Sequence, residues 1–521
     1  MHVKIQRIIL LAVVFLAGMT SLAIEISASR LLAPYFGTSL FIWANLIGLE
    51  LIYLTIGYTI GGRMADRRPS ALRLYSIVAI AATFLGLIPL ISRPILQISL
   101  TGFANLDFGA FYGSLLGTIL LFAFPVILLG MVTPFAIRLE ITKLDQAGKT
   151  AGQIYSLSTL GSILGTFVPV FIFIPTVGTD LTFVIFAMVL LAGALLGLGF
   201  AGGYARLAKL GTPLSVVLLI ALVFTALPHT IKAGYGGTLI TEKESLYNYI
   251  QVVKNNGTYE LILNEGQAIH SLYNPANPLS GGEWDYFLGA PFFNNPPYLA
   301  SDFHSAAIIG LGGGTIAYTI TNSYGSIPID GVEIDPEIVK MGQQYFAMNE
   351  KNLAVHVQDG RYFLATTNKQ YDMIAIDAYQ QPYIPFQLTT REFFQLARNH
   401  LTPKGVVAIN VGRTATDYRL VDALSSTMQS VFKKVYIIDT YYGGNSIIVA
   451  TNDDTTQLAN FAANAQFITQ PLLAAVANET LANEAHLRVN TAHAQPFTDD
   501  HAPVESIVDQ ILLGYIRNDG K

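Results

Sequence analysis

Cysteine is absent from all 521 residues. That excludes disulfides, thiolate catalysis and cysteine metal sites, and it fits either side of a membrane. Charge is scarce in the first part of the chain. Residues 1–233 hold 14 Lys and Arg and 7 Asp and Glu, a net of +7. These charges cluster between long apolar runs, so a water-soluble globule is excluded there. The rest lacks a basic surplus: residues 234–521 carry 16 Lys and Arg against 28 Asp and Glu, a net of −12. Nucleic acid, which selects basic faces, is therefore not an expected partner. The overall charge of −5 averages two unlike objects. One hydrophobic core does not serve this length, and composition places domain limits at 1–233, 240–297 and 298–521.

What the first part has is hydrophobic length. Seven stretches, at about 8–29, 39–61, 74–97, 110–137, 153–176, 181–203 and 212–231, approach the ~20 residues a helix needs to cross a bilayer. The first reads as a span and not as a cleaved leader, because no small-residue cleavage pattern follows it. Gly152, Gly161, Gly165, Gly193, Gly197 and Gly199 suit close helix packing in lipid. The N-terminal flank and the loops after the second, fourth and sixth stretches carry Lys4, Arg7, Arg63, Arg67, Arg68, Arg73, Arg138, Lys143, Lys149, Arg206 and Lys209. The opposite ends carry Arg30 and Arg93 only. The positive-inside rule then puts the N-terminus in the cytoplasm, and seven spans put everything after residue 233 outside it. A multi-pass protein of the cell membrane is expected. Glu25, Arg30 and Glu50 are its candidate functional residues, since an intramembrane carboxylate is costly; a local Glu25–Arg30 ion pair is the simpler alternative. The run Gly61-Gly62-Arg63-Met64-Ala65-Asp66-Arg67-Arg68 resembles a short cytoplasmic loop of major facilitator transporters.

After residue 240 the periodicity shortens. Residues 241–253 and 259–263 alternate like a small antiparallel region, and a loop rich in Pro, Asn and Gly covers 274–297. From 306 strands and helices alternate: strands at 306–309, 329–333, 353–358, 371–377 and 406–411, with helices at 314–323, 336–347, 361–368 and 391–401 between them. A helix at 418–432 leads to an antiparallel pair at 435–439 and 446–450. This predicts an α/β, doubly wound, Rossmann-type domain behind a small β region. Ligands of such sheets lie at the carboxyl ends of the strands. There the sequence places Gly310, Gly312 and Gly314 in a turn that opens a helix, then Glu333, Asp359-Gly360 and Asp377. Thr315 breaks the pyrophosphate fingerprint. A carboxylate after the second strand suits a ribose, and one after the third suits an adenine amino group. A helix N-cap is the alternative for any one of these acids.

Residues 306–314 (AAIIGLGGG), 332–335 (VEID), 358–361 (QDGR), 371–377 (YDMIAID) and 403–407 (PKGVV) resemble the spermidine synthase family of aminopropyltransferases. Residues 244–252 resemble the opening strand of its small β domain. Glu25 with Ser29-Arg30-Leu31-Leu32, residues 130–138, 152–165 and 498–504 are similar to the multispan fusions of that family with a major facilitator-like bundle. The resemblance implies a class I methyltransferase fold. It implies S-adenosylmethionine or its decarboxylated form as donor, held by Gly310, Gly312, Gly314, Glu333, Asp359 and Gly360, and no metal. It implies an amine or other acceptor as partner, beside the lipid bilayer, and leaves a homo-oligomer open.

The same resemblance assigns catalysis to the loop after the fourth strand. The family's Asp-x-x-Asp-Pro run is here Asp377-Ala378-Tyr379-Gln380-Gln381-Pro382, so Gln380 stands where a general base belongs, and an amide does not accept the proton. Asp377, Tyr379 and Gln380 are the catalytic candidates. Gln251, Asp285, Tyr286 and Tyr383 are those for the acceptor. Three activities stay open: aminopropyl transfer to an amine, methyl or other group transfer to a lipid-borne or extracytoplasmic acceptor, and nucleoside binding or transport without transfer. His270 and His501 are isolated and lack the spacing of metal ligands.

Overall fold

An apolar run in lipid satisfies its backbone only by coiling into a helix. In the computed structural model of this chain nearly all the described residues between 2 and 226 do so. The structure describes residues 2–36, 40–102, 109–141, 146–227, 230–264, 268–380, 382–441, 444–482 and 487–519. Two compact units divide at residues 232 and 233.

The first unit contains α1 (His2–Phe36), α2 (Leu40–Arg67), α3 (Ala71–Gly102), α4 (Gly109–Gly130), α5 (Val132–Glu140), α6 (Ala147–Val168), α7 (Ile174–Arg206) and α8 (Thr212–Ala226). Among the described residues five helical stretches are long and apolar enough to cross a membrane, the last covering the 80 residues Ala147–Ala226. At 1.5 Å per residue that stretch would run about 120 Å if straight. It is broken at Gly178 (φ 83°) and Gly203 (φ 71°), whose left-handed backbones suit glycine. The three apolar segments read there from the sequence are therefore joined through glycine breaks. Helix α1 packs on α6 and α7, α3 on α4 and α7, and α2 on α4. Gly161 and Gly165 let α6 touch the α1 backbone, where a methyl group would overlap the carbonyls of Phe15 and Met19.

The second unit opens with an antiparallel sheet of β1 (Thr238–Glu244), β2 (Tyr249–Asn255), β3 (Thr258–Leu263) and β4 (Ile269–Tyr273), paired in chain order. The alternating run 241–253 is thus two strands. Ser245 breaks it, since its Oγ accepts from the amides of Tyr247 and Asn248 and donates to Asp335 at 2.5 Å. Residues 274–297, read as loop, contain a 3₁₀ segment, Glu283–Phe293, whose residues from Trp284 onward are buried. Its aromatic side chains enter the core and outweigh the turn-forming residues around them.

The main fold follows as β5 (Ala306–Ile309), α9 (Thr315–Tyr324), β6 (Ile329–Glu333), α10 (Pro336–Tyr345), β7 (Leu353–Val357), α11 (Gly360–Thr366), β8 (Tyr371–Ile376), α12 (Arg391–Asn399), β9 (Leu401–Gly412), α13 (Arg419–Gln429), β10 (Lys434–Asp439) and β11 (Asn445–Thr451). The chain closes with α14 (Ala459–Ala465), α15 (Pro471–Ala482), β12 (Leu487–Val489) and α16 (Val504–Asp519); the first three are not anticipated from the sequence, whereas the acids at 499 and 500 allow a helix start at Ala502. The eight strands order as β12-β10-β11-β9-β8-β5-β6-β7. Strands β9, β8, β5, β6 and β7 are parallel; β11, β10 and β12 are each antiparallel to their neighbours, so β11 and β12 run against the parallel set and β10 runs with it. Apolar layers cover both faces: Phe363, Phe393, Phe394 and Leu424 on one, Phe287, Phe293, Ile316 and Phe461 on the other. The order reverses at β5, so the switch point lies between the carboxyl ends of β5 and β8. A doubly wound sheet binds its ligand there.

Candidate active site

The turn after β5 is built from glycines whose neighbours leave no alternative. Gly310 has φ 86°, and a side chain on it would lie 2.5 Å from the Asp377 carbonyl; Gly312 has φ 56° and the Ser271 hydroxyl 2.6 Å from the same point. Gly314 caps the N-terminus of α9 in a left-handed conformation. The turn is gripped from two sides. The Gly312 amide donates to Glu333 Oε2 at 2.9 Å, and the Gly313 amide donates to Ser271 Oγ at 2.8 Å. Thr315 then bonds both backbone groups of Leu272, which joins the small sheet to the turn.

Glu333 ends β6 and is 8% exposed; its second oxygen accepts from the Asp335 amide at 3.1 Å. Burial pushes its carboxyl up to about 7 against the pull of these amides. Asp359 caps α11 by accepting from the Tyr362 amide at 2.9 Å. Gly360 lies against Ile309 with no room for a Cβ, so the start of α11 sits beside the end of β5. Arg361 in the same turn forms a two-pronged ion pair with Asp499, at 2.7 and 2.6 Å. Asp499 also accepts from Thr390, which caps α12. The 498–501 motif thus fastens the chain's last segment to the rim of the site.

Asp377 follows β8 directly. The Trp284 indole donates to its Oδ2 at 2.8 Å, and the Asn410 amide donates to its Oδ1 at 2.9 Å. It lies deep in the domain yet keeps some solvent contact at the strand end. Burial raises its carboxyl to about 7; Glu283 nearby adds to the rise, and the two hydrogen bonds oppose it. The Tyr379 hydroxyl donates to the Asn410 carbonyl at 3.1 Å and accepts from the Gly412 amide at 2.9 Å, which fixes the loop against β9. Gln380 is exposed, and its backbone pairs with Tyr383. Gln381 lies outside the described residues.

The acceptor candidates are placed differently. Asp285 takes both amides of Ser280 and Gly281 and the Ser280 hydroxyl, so it closes its own loop. The Tyr286 hydroxyl donates to Glu479 at 2.9 Å and accepts from the Tyr441 amide. Tyr383 donates to Asp509 at 2.7 Å, and Gln251 donates to the Tyr249 hydroxyl at 2.8 Å. In the first unit Glu25 of α1 lies beside Glu50 of α2, and Glu50 is buried. Arg30 is half-buried further along α1.

Trp284, Asn410, Ser271 and Glu283 were not singled out from the sequence. Asn410 carried a signal, as the polar residue in the apolar strand run Val406-Val407-Ala408-Ile409-Asn410-Val411. Trp284 is one of only two tryptophans in the chain. Among the described residues no group of three His, Asp or Glu is placed to hold a metal.

Residues 296–460 match the spermine/spermidine synthase domain. A probable polyamine aminopropyl transferase of Bifidobacterium longum is 35% identical over 225 residues, covering 43% of this chain and 49% of that protein. The chain thus spans about half the length of that relative. A polyamine aminopropyltransferase of Vibrio vulnificus is 30% identical over 238 residues, 42% of this chain and 73% of the relative. A human eEF1A lysine and N-terminal methyltransferase is 26% identical over 162 residues, 29% of this chain and 23% of the relative.

Proposed function

The chain belongs to the spermidine synthase family, and from that premise we propose that it transfers an aminopropyl group from decarboxylated S-adenosylmethionine to an amine. One observation carries the reading: Asp377 is clamped by Trp284 and Asn410 at the switch point, beside a glycine turn that Glu333 holds open. The donor supplies a carbon activated by its sulfonium. The 310–314 turn and Gly360 give it room, Glu333 receives the ribose hydroxyls, and Asp359 faces the base. The amine nitrogen bonds to that carbon, the carbon–sulfur pair leaves with sulfur, and the nitrogen sheds a proton. Asp377, with a carboxyl near 7, orients the incoming neutral amine and accepts that proton in the absence of an acid at position 380.

The first unit is proposed to sit in the membrane as seven spans, with the N-terminus in the cytoplasm and residues 234–521 outside. Support comes from the five apolar helical stretches, the glycine breaks in the last, and apolar side chains facing outward, such as Phe171 at 66% exposure and Leu196 at 60%. A second reading, methyl transfer from ordinary S-adenosylmethionine, draws on Gln380 and on the methyltransferase relative.

The deciding experiment offers the purified full chain each donor with putrescine and follows products by mass spectrometry. Aminopropyl transfer that falls by at least about a hundredfold in Asp377→Asn is expected. Methylated product alone selects the second reading. Donor binding without any product leaves a nucleoside-binding protein.

A further inference from the structure

Within the helical unit a cavity of about 810 Å³ opens among the ends of α1, α3, α5, α6 and α7. Three of these helices, α1, α3 and α6, have one of their first two turns at it, whereas α5 ends there at Glu140 and α7 passes it near its C-terminal end. Helix starts of this kind usually carry acids, yet none of the three has one in its first turn. The first turn of α6 instead carries Lys149, which is exposed and makes no ion pair among the described residues. A cation opposing the dipole breaks a local rule, and such breaks mark ligand sites.

Arg7 of α1 supplies the second charge. Its Nε donates to Glu140 at 2.8 Å, which neutralises the acid of the lining and leaves the two terminal nitrogens of a 58% exposed guanidinium at the cavity. Gln6 and Gln153 add neutral donors, while Leu10, Tyr75 and Phe200 make an apolar wall. A guanidinium edge and an ammonium above an apolar wall suit a phosphate carried on a hydrophobic body.

We propose that this cavity binds an organic phosphate, with Arg7 and Lys149 as its anion contacts. An anionic phospholipid headgroup and a free phosphorylated metabolite share this chemistry. The lipid source rests on the bilayer reading given above; the phosphate chemistry does not.

The test uses the full chain in nonionic detergent, titrated by native mass spectrometry with phosphatidylglycerol, phosphatidylcholine and glycerol phosphate. One phosphatidylglycerol retained at least about tenfold more tightly than phosphatidylcholine is expected, weakened about fivefold by Lys149→Gln. Arg7→Lys should bind better than Arg7→Gln. Arg68→Gln, an exposed cation outside the lining, should change nothing. Displacement of the lipid by glycerol phosphate supports the site with a soluble source, and selective lipid retention without displacement supports it with a lipid source. Equal binding of both lipids with no uptake of glycerol phosphate overturns the proposal. So does an Arg68→Gln loss as large as that of Lys149→Gln. Alkaline carbonate extraction separates the two readings: a chain released from membranes refutes the bilayer placement, whereas an embedded chain without phosphate preference refutes the cavity.

Discussion

Glu333 accepts two backbone amides, one from the glycine turn and one from the start of α10, so its orientation is set before any ligand arrives. Replacing it by Gln should cost on the order of 1.5–3 kcal/mol of donor binding, about ten- to a hundredfold in affinity. Calorimetry with decarboxylated S-adenosylmethionine reads this directly, and an unchanged affinity would remove Glu333 from the site. Glu333 and Asp377 also make a pH prediction. Their ordinary values of 4.5 and 3.8 rise to about 7 in the fold because burial penalises charge. Between those limits the folded state binds more protons than the unfolded one, so their contribution to stability is full below about 4 and is lost as pH rises through about 7. The ligand-free thermal midpoint should therefore fall between pH 5 and 8, and more steeply than in the Glu333→Gln/Asp377→Asn double variant. Equal slopes would show that burial does not hold these protons. Both acids were legible in the sequence because each ends an apolar strand. Their partners were not: Trp284 lies 93 positions from Asp377, Asn410 lies 33 positions from it, and Ser271 reaches Gly313 across 42. Contacts at such separations leave no periodic trace.

The loop after β8 shows what an element adds to its residues. Gln380 and Tyr383 exchange backbone hydrogen bonds at 2.8 and 3.1 Å, so the chain doubles back immediately after Asp377. That turn holds position 380 at the surface near the acid, which makes it a usable place for a second carboxylate. Gln380→Asp should raise aminopropyl transfer to putrescine, with a ceiling of about 10²–10⁴-fold if the new acid reaches the amine. Initial rates at saturating donor are the measurement. A fast wild type that neither this change nor Gln381→Asp improves would show that Asp377 alone suffices as base. The strands and helices from 306 to 451 were readable because each carries its own apolar period. The 283–293 segment was not, since Gly and Pro on both sides mask a stretch whose aromatic side chains are core. The turn at 245–248 was hidden for the opposite reason: its apolar and polar residues continue the alternation of the strands beside it, and only the contact with Asp335 reveals the break.

At the scale of the molecule, charge and hydropathy change after residue 233, and contacts divide the chain between residues 232 and 233. What hydropathy left open is how many crossings the proposed bilayer placement contains, because Ala147–Ala226 is one helical run by length and three by its glycine breaks. Parity decides which side the transferase unit occupies. With breaks at Gly178 and Gly203 acting as membrane-surface turns, the run crosses three times and the unit crosses seven. Any odd count sends residues 234–521 to the face opposite the N-terminus. The arginines at 63, 67, 68 and 73 resist the outer face, since positive charge in a short loop is retained inside. A reporter active only in the cytoplasm should therefore fluoresce when inserted between Pro69 and Ser70 and stay dark when fused after Lys521. Bright signals at both sites would require an even count and hence one glycine break lying within a span. A dark loop with a bright C-terminal fusion would invert the molecule and place the donor site beside cytoplasmic S-adenosylmethionine. The expected pattern, a bright loop and a dark C-terminus, instead requires the donor to reach an extracytoplasmic site. The helical unit, which is far larger than an anchor needs to be, would then be the natural route to examine for it.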